Sequence, residues 1–443
     1  MTISEDSLLD ALAEALQAGL KEVAIYARDH HWSLRNSQVV MHRVWSDGTP
    51  SVWYQDDMVV DYGAIGRCVE LLKETSSDSL AQILGPNERL AAAFATSDFG
   101  SDVNPTIRIA AAVDALIADF AVLYFRDSES FDWNESAFAE AIDAVRDFAR
   151  SNSHSLVVRS PLLGFSMNAN ELKIAEGIQV ELLEQEELQR LESSNLYERQ
   201  AQTITPFQWT PGRYVIEMKV EVAIGADRYE ERQAIVLRLH ECLTAIRLAS
   251  EGVVYLGDIW FERVSPHFGD SFDDVYVADG LLPRINPGIQ FLVDENTSAT
   301  IAELFAGLAG VWALGAKKSN PLFIPNSRFN MYFDRTLVED QLLDLAICLE
   351  ALFTKSGESS EVTDKISRRV GRLLGSSQEE RLEVVSKAKR LYQLRSSLVH
   401  GEQVEAQVLF DNVHVLLGMI RQAIVLKIRT GWTVESIENE MMA

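Results

Sequence analysis

Two side chains near the end of the sequence, Arg395 and His400, have the types and spacing that could do chemistry. They lie in the run LYQLRSSLVHG, residues 391–401, and form the pattern Arg-x-x-x-x-His. A guanidinium binds phosphate through its planar fork, and an imidazole can move a proton near neutral pH. These two groups are the minimum needed to cleave RNA without a metal ion. The pair is therefore a candidate site for metal-free cleavage of RNA, and the surrounding sequence must supply its structural context.

Amphipathic helices must position this pair, and the sequence around it predicts four of them. Two capping boxes are expected at helix starts, one from Thr336 with Glu339 and one from Ser377 with Glu380. Gly401 is expected to close the helix that carries the pair. Short polar turns between helices of this length are typical of an antiparallel bundle. The predicted helices run from Thr336, from Val362 to Leu374, from Ser377 to His400, and from about Val404 onward.

The segments LLDLAICLEALF, KISRRVGRLLG and KRLYQLRSSLVHG follow one another in this bundle. Together they resemble the HEPN superfamily of helical ribonuclease domains over about residues 328–430, and are closest to the branch of the ApeA anti-phage proteins. The resemblance implies a metal-independent endoribonuclease, usually an obligate dimer, in antiviral defence or a toxin-like abortive response. It also implies Arg395, Ser396 and His400 as site residues. Many HEPN domains carry Asn, Asp or His at the position of Ser396, whereas serine is usual in the ApeA-like branch.

The spacing of Arg395 and His400 bears on how many chains build the site. Five residues of α-helix give about 7.5 Å of rise and about 140° of rotation. The two side chains therefore do not lie one above the other, as residues three or four apart would. Two such helices packed about a two-fold axis would surround one cleft with two arginines and two histidines. Geometry and resemblance together predict a homodimer through the bundle.

The expected chemistry is transesterification of RNA. The 2′-hydroxyl attacks the adjacent phosphate and leaves a 2′,3′-cyclic phosphate and a free 5′-hydroxyl. His400 is the expected general base, general acid, or both across two protomers, and Arg395 is expected to bind the scissile phosphate. The alternative is a helix-end cation pair in an inactive HEPN scaffold that binds RNA or senses a signal for a defence system. Neither interpretation needs a cofactor.

Charge is distributed unevenly along the chain. The formal net charge is −26, which argues against a general nucleic-acid binder. Residues 363–400 nevertheless contain nine Lys or Arg against four acidic residues, a local charge of +5. The RNA-binding residues predicted here are Tyr392, Lys389, Arg390, Arg368 and Arg372. For the basic residues the alternative is a solvated helix face with ordinary salt bridges, and for Tyr392 the alternative is packing in the core.

The whole chain is predicted to be an α+β multidomain protein. Residues 1–154 are expected to be mainly helical with a small hairpin that turns at Asp47-Gly48, and residues 155–296 to form a mixed α+β domain. Residues 297–430 are the expected helical bundle and 431–443 a tail. The parts before the bundle are predicted to sense a trigger, such as a phage-derived one, or to select a partner.

Several other classes of site and compartment are not expected. Cys68, Cys242 and Cys348 are single and far apart, which fits neither a disulfide framework nor a metal knuckle. The adjacent His30 and His31 are expected to be structural or surface residues rather than metal ligands, so no metal site is predicted. The first helix has no basic start, and no segment is expected to reach the ~20 apolar residues that span a membrane. The predicted compartment is the cytoplasm, with no membrane partner.

Overall fold

The computed structural model describes residues 5–46, 49–60, 62–94, 104–125, 128, 130–169, 171–183, 214–223, 228–257, 259–263, 274–276, 291–315, 320–355, 357–358 and 361–442. In these ranges the chain is mostly helical, with one seven-stranded sheet and two sheets of two strands each. The predicted mixed α+β class agrees with this architecture. The domain boundaries at 154, 296 and 430 stay predictions.

The N-terminal part is helical with one hairpin. Strand β1 (Arg35–Ser46) pairs antiparallel with β2 (Thr49–Val60), and Ser46 lies opposite Thr49. The residues of the predicted turn, Asp47 and Gly48, lie outside the described ranges. Helix α1 continues past its predicted end at about Leu20, because Val23, Ala24 and Ala27 extend its buried face. The helices here are α1 (Glu5–Asp29), α2 (Tyr62–Leu84), α3 (Glu88–Phe94), α4 (Pro105–Phe125) and α5 (Glu135–Arg150).

The central part contains the larger sheet, whose strands follow the order β10-β9-β3-β7-β6-β5, with β8 also paired to β3. The sequence VVYLGDIWFERV, residues 253–264, predicts one strand, but the structure divides it into β8 and β9. Between them the Gly257 amide donates to the Pro161 carbonyl at 2.8 Å, and a side chain at Gly257 would meet the Pro161 ring at 3.0 Å. The elements are β3 (Ser153–Leu163), β4 (Phe165–Met167), β5 (Glu171–Ala175), β6 (Ile178–Leu182), β7 (Tyr214–Ala223), α6 (Arg228–Ala249), β8 (Tyr255–Leu256), β9 (Ile259–Arg263), β10 (Asp274–Tyr276) and β11 (Phe291–Val293).

The C-terminal part is helical, and the four predicted helices are present as α10 to α13. The capping box of Ser377 and Glu380 is confirmed, since each side chain binds the other residue's backbone amide. The box at Thr336 is wrong, because α10 begins one residue later with Leu337 as an N-cap that makes no side-chain bond. The elements are α7 (Glu295–Leu308), α8 (Val311–Leu314), α9 (Phe323–Asp334), α10 (Val338–Phe353), α11 (Val362–Leu374), α12 (Gln378–Val399), α13 (Ala406–Thr430) and α14 (Val434–Met442).

Three differences from the sequence prediction occur around this bundle. The sequence predicts one helix from Ser298 to Ala316, but the structure breaks it at Gly310, whose φ of +77° is a left-handed conformation that favours glycine. The sequence KKSNPLFIPNS, residues 317–327, predicts a connection that leads into the bundle, but it contains the start of α9. Pro325 does not prevent this helix, because it lies in the first turn, where proline is tolerated. The tail contains α14, which follows Trp432, stacked on Phe353 with ring centroids 4.9 Å apart.

The buried apolar residues form two clusters. One runs through α1 to α5, and the other runs without interruption from β3 through the sheet and α6 to the C-terminal helices. The sheet and the bundle therefore share one core. The three cysteines are buried and unpaired.

Two helical stretches, Asn296–Leu314 and Ala406–Thr430, are long and apolar enough to cross a membrane by length and composition. The expectation that no segment reaches this length is therefore wrong for these two. Core helices pass the same test, and α13 has Leu416, Ile420 and Ile424 in the shared core.

Candidate active site

The end of helix α12 has the geometry that its sequence predicts. Gly401 has a φ of +77°, a left-handed conformation that glycine adopts readily because glycine has no Cβ. Its amide donates to the Leu398 carbonyl at 3.0 Å, and the Glu402 amide donates to the Ser397 carbonyl at 2.9 Å. These bonds close the last turn and leave His400 as an exposed C-cap, with its amide 3.0 Å from the Ser396 carbonyl.

Arg395 lies on the last turns of the same helix and is only loosely held. Its side chain is 37% exposed, and its Nη2 atom is 3.7 Å from Oε1 of Glu350, whose side chain is 32% exposed. This separation is longer than a hydrogen bond to a carboxylate. A half-exposed ion pair of this kind contributes about 0–1 kcal/mol. The donors of the guanidinium are therefore left largely available to another acceptor.

Glu350 is the member of this site that sequence reasoning missed. It lies near the end of α10, inside the run CLEALF, and reaches Arg395 from a different helix. The signal that could have identified it is its charge, because it is an acidic residue among apolar neighbours on a helix whose other face is buried. A carboxylate at such a position is more plausible beside a cation than in apolar packing.

Tyr392 lies one turn before Arg395 and is 7% exposed, so the core-packing interpretation is confirmed. Stacking of a base on its ring, the RNA-binding role predicted for it, would need an uncovered face. Its buried hydroxyl has no hydrogen-bond partner among the described residues. Burial raises the pKa of this hydroxyl well above its ordinary value, the charge of Glu350 raises it further, and Arg395 opposes the rise. Tyr392, Glu350 and Arg395 therefore form one electrostatic group.

The basic residues predicted to bind RNA differ in how available they are. Lys389 and Arg368 both pair with Asp364, with N–O distances of 2.7 and 2.8 Å, so the salt-bridge alternative is confirmed for both. Arg372 is half-buried on α11, whereas Arg390 is exposed on α12. Arg390 is therefore the best placed of the four to meet an RNA backbone.

Other cations in the same segment serve the fold. Arg369 is 3% exposed and donates to the carboxylates of Glu358 and Glu438 and to the Phe353 carbonyl. Arg381 donates to the Gly375 carbonyl at 3.0 Å. The local charge of +5 therefore overstates the positive potential that a ligand would meet.

The described part of the chain contains no group of three or more His, Cys, Asp or Glu placed to hold a metal ion. No protein-family model, curated protein or solved structure matches this chain. Any assignment of function consequently depends on the motif and on the local geometry of α10 and α12.

Proposed function

We propose that this protein is a metal-independent endoribonuclease of the HEPN type, closest to the ApeA-like branch, acting in prokaryotic antiviral defence or abortive infection. The observation that carries the proposal is the end of α12. There an exposed imidazole at the C-cap and a half-exposed, loosely paired guanidinium lie within two turns of one another on one helix. This combination supplies a proton-transfer group and a phosphate ligand at the protein surface.

In the proposed reaction His400 removes the proton from the 2′-hydroxyl, returns a proton to the 5′-oxygen leaving group, or does both in two protomers. Arg395 binds the non-bridging oxygens of the scissile phosphate and stabilises the charge that develops there. The exposed hydroxyl of Ser396 lies beside Arg395 in the chain and is a further donor to the phosphate. The products are a 2′,3′-cyclic phosphate and a 5′-hydroxyl.

The proposed assembly is a homodimer through the bundle. Arg395 and His400 are separated by about 140° around α12, so one helix does not direct both at one phosphate. A second copy related by a two-fold axis would supply the missing residue to each phosphate. Val399, which lies next to the motif and is 58% exposed, supports an additional contact at this end of the helix.

RNA binding is proposed to depend mainly on Arg390, with Lys389, Arg368 and Arg372 contributing after rearrangement of their present contacts. The N-terminal helices and the central sheet are proposed to receive the trigger. Because the sheet and the bundle share one core, a change on the sheet side has a packed route to the bundle. The proposed compartment is the cytoplasm.

The test is cleavage of end-labelled RNA in EDTA by the wild-type chain and by His400→Ala, with analysis of the product ends. Cyclic-phosphate ends made by the wild type and lost in the variant are the expected result. Cleavage that persists in His400→Ala would exclude this site. Arg395→Ala is expected to behave like His400→Ala, because the phosphate ligand is then missing.

The second candidate function is a catalytically inactive HEPN scaffold that binds RNA or senses a signal. Two observations favour it: Lys389 and Arg368 are already paired with Asp364, and Arg395 contacts Glu350. A scaffold would dimerise without cleaving RNA and would not slow growth when overproduced. An active nuclease is expected to slow growth in a manner that depends on Arg395 and His400.

A further inference from the structure

One member of the group formed by Tyr392, Glu350 and Arg395 lacks a hydrogen bond within the described part of the chain. The Tyr392 hydroxyl is buried without an acceptor among the described residues, although a carboxylate is one of its charged neighbours. A buried hydroxyl without a hydrogen bond is costly, and the large majority of buried polar side chains in native proteins are hydrogen-bonded. A second arrangement of the same residues would supply the missing bond.

The contact between Glu350 and Arg395 shows which residues can rearrange. Their 3.7 Å separation is too long for a hydrogen bond, and both side chains are about one-third exposed. Arg395 can leave this contact at little cost, because pairs of this kind are weak. When it turns to a phosphate, the carboxylate of Glu350 loses its cation and gains a free acceptor site.

We propose that Glu350 and Tyr392 are positioning residues that exchange partners when Arg395 binds a phosphodiester. In the ligand-free protein Glu350 faces Arg395, and in the bound protein the Tyr392 hydroxyl donates to Glu350 instead. The hydrogen bond to the carboxylate is charge-assisted, so it favours the bound arrangement. The inference deepens the proposed function, because it takes the ligand of Arg395 to be the phosphate of an RNA strand.

Substitution of Tyr392 by phenylalanine separates this role from simple packing. Tyr392→Phe keeps the buried ring and removes a hydroxyl that has no hydrogen-bond partner among the residues that the structure describes. Its midpoint temperature of unfolding is therefore expected to equal or exceed that of the wild type. Binding of RNA is expected to weaken about tenfold, because one charge-assisted hydrogen bond of the bound state is lost. A tyrosine whose only role is packing would not combine an unchanged or higher midpoint temperature with weaker RNA binding.

Tyr255→Phe is the matched control. The Tyr255 hydroxyl is also buried, but it donates to the Phe333 carbonyl at 3.2 Å in the ligand-free structure. Its removal is expected to lower the midpoint temperature and to leave RNA affinity within twofold of the wild type. The two tyrosines are therefore expected to show opposite patterns.

The experiment measures the fluorescence anisotropy of a labelled 2′-O-methyl RNA oligonucleotide in EDTA, which binds but lacks the attacking hydroxyl. The effect of Tyr392→Phe on RNA affinity is measured in two backgrounds, the otherwise wild-type chain and the Glu350→Ala variant. Since Tyr392 acts through Glu350, its tenfold effect is expected to fall below twofold in the Glu350→Ala background. Glu339→Ala, an exposed glutamate at the start of the same helix, is the control for loss of a charge.

An unchanged affinity of Tyr392→Phe in the wild type, or an equal loss in both backgrounds, would overturn the proposal. Absence of measurable binding by the wild type would overturn it as well, because Arg395 would then not be a phosphate ligand. A negative result in the nuclease assay is separate from a negative result in the binding experiment. A chain that shows the tyrosine effect on binding but cleaves no RNA retains this inference and loses the proposed catalysis.

Discussion

Arg369 and Arg395 lie on neighbouring helices in one basic segment, yet their surroundings differ in a way that separates structure from function. Arg369 is 3% exposed, pairs with two carboxylates and also donates to the Phe353 carbonyl. Arg395 is 37% exposed and has one carboxylate at 3.7 Å. A buried guanidinium is tolerated only when its donors are satisfied, whereas a surface guanidinium keeps them for a ligand.

The network around Arg369 attaches the last helix to the bundle. Lys355 and Arg369 both bind Glu438 of α14, and Lys365 lies 3.4 Å from Glu358. No comparable network surrounds the end of α12 in the described part of the chain, where Glu350 is the carboxylate paired with Arg395. Positive charge therefore stabilises the fold around Arg369 and is available for chemistry at Arg395, although both side chains reach the last turn of α10, at Phe353 and at Glu350.

The largest expected effect is on catalysis at the α12 end. His400→Ala is expected to reduce the rate of RNA cleavage by about 10²- to 10⁴-fold, because a general acid–base group is removed. The measurement is single-turnover cleavage of labelled RNA in EDTA. His414→Ala, a change of another exposed histidine on α13, is the matched control and is expected to cleave at the wild-type rate. Equal losses in both variants would mean that His400 has no special role.

The next effect is on stability at the Arg369 end. Arg369→Ala leaves Glu358 and Glu438 without their shared cation, and the free energy of unfolding is expected to fall by about 3–5 kcal/mol. Urea denaturation followed by circular dichroism measures this change. Arg390→Ala, an exposed arginine on α12, is the control and is expected to change stability by less than about 0.5 kcal/mol. A loss below about 1 kcal/mol for Arg369→Ala would mean that the network contributes little.

Acid should weaken the same network in a defined pH window. The hydrogen bonds from Arg369 lower the pKa of Glu358 from 4.5 to about 2. A lowered folded-state pKa contributes stability that is present above the unfolded value and is lost as pH falls through the folded value. Glu358→Gln is therefore expected to be less stable than the wild type by about 2 kcal/mol at pH 6, and this difference should shrink between pH 4.5 and 2.

Urea denaturation of both proteins at pH 6, 4 and 3 checks the acid prediction. A difference that stays constant over this range would show that the charge of Glu358 does not stabilise the fold. Glu350→Gln is a useful comparison at the contact with Arg395, since this partner is half-exposed. Its effect on stability is expected to be below about 1 kcal/mol at every pH.

The smallest expected effect is that of Arg395→Ala on stability. Because its ion pair is loose and exposed, the free energy of unfolding is expected to change by less than about 1 kcal/mol. Cleavage of RNA should nevertheless be lost. The same urea titration and the same RNA assay measure both quantities. A large loss of stability would place Arg395 with Arg369 among the structural arginines.

Much of the fold can be predicted from the sequence where the signal is local. The helices α10 to α13, the Ser377–Glu380 capping box and the Gly401 helix end follow from apolar periodicity and capping chemistry over a few residues. The missed features are those in which a local rule competes with another. Pro325 suggests a connection between elements yet lies in the first turn of a helix, and Gly310 interrupts a run that is helical by composition.

The sequence by itself determined that Arg395, Ser396 and His400 lie at the end of a helix closed by glycine, because i to i+4 backbone bonds and a left-handed glycine act within one or two turns. Only the tertiary structure decided which cations are free to act. Arg369 meets a carboxylate 69 residues away, and Arg395 meets Glu350 from a different helix. Charges interact through space rather than along the chain. The packing of the helices therefore decides which of the nine basic residues in this segment are structural and which are candidate catalytic groups.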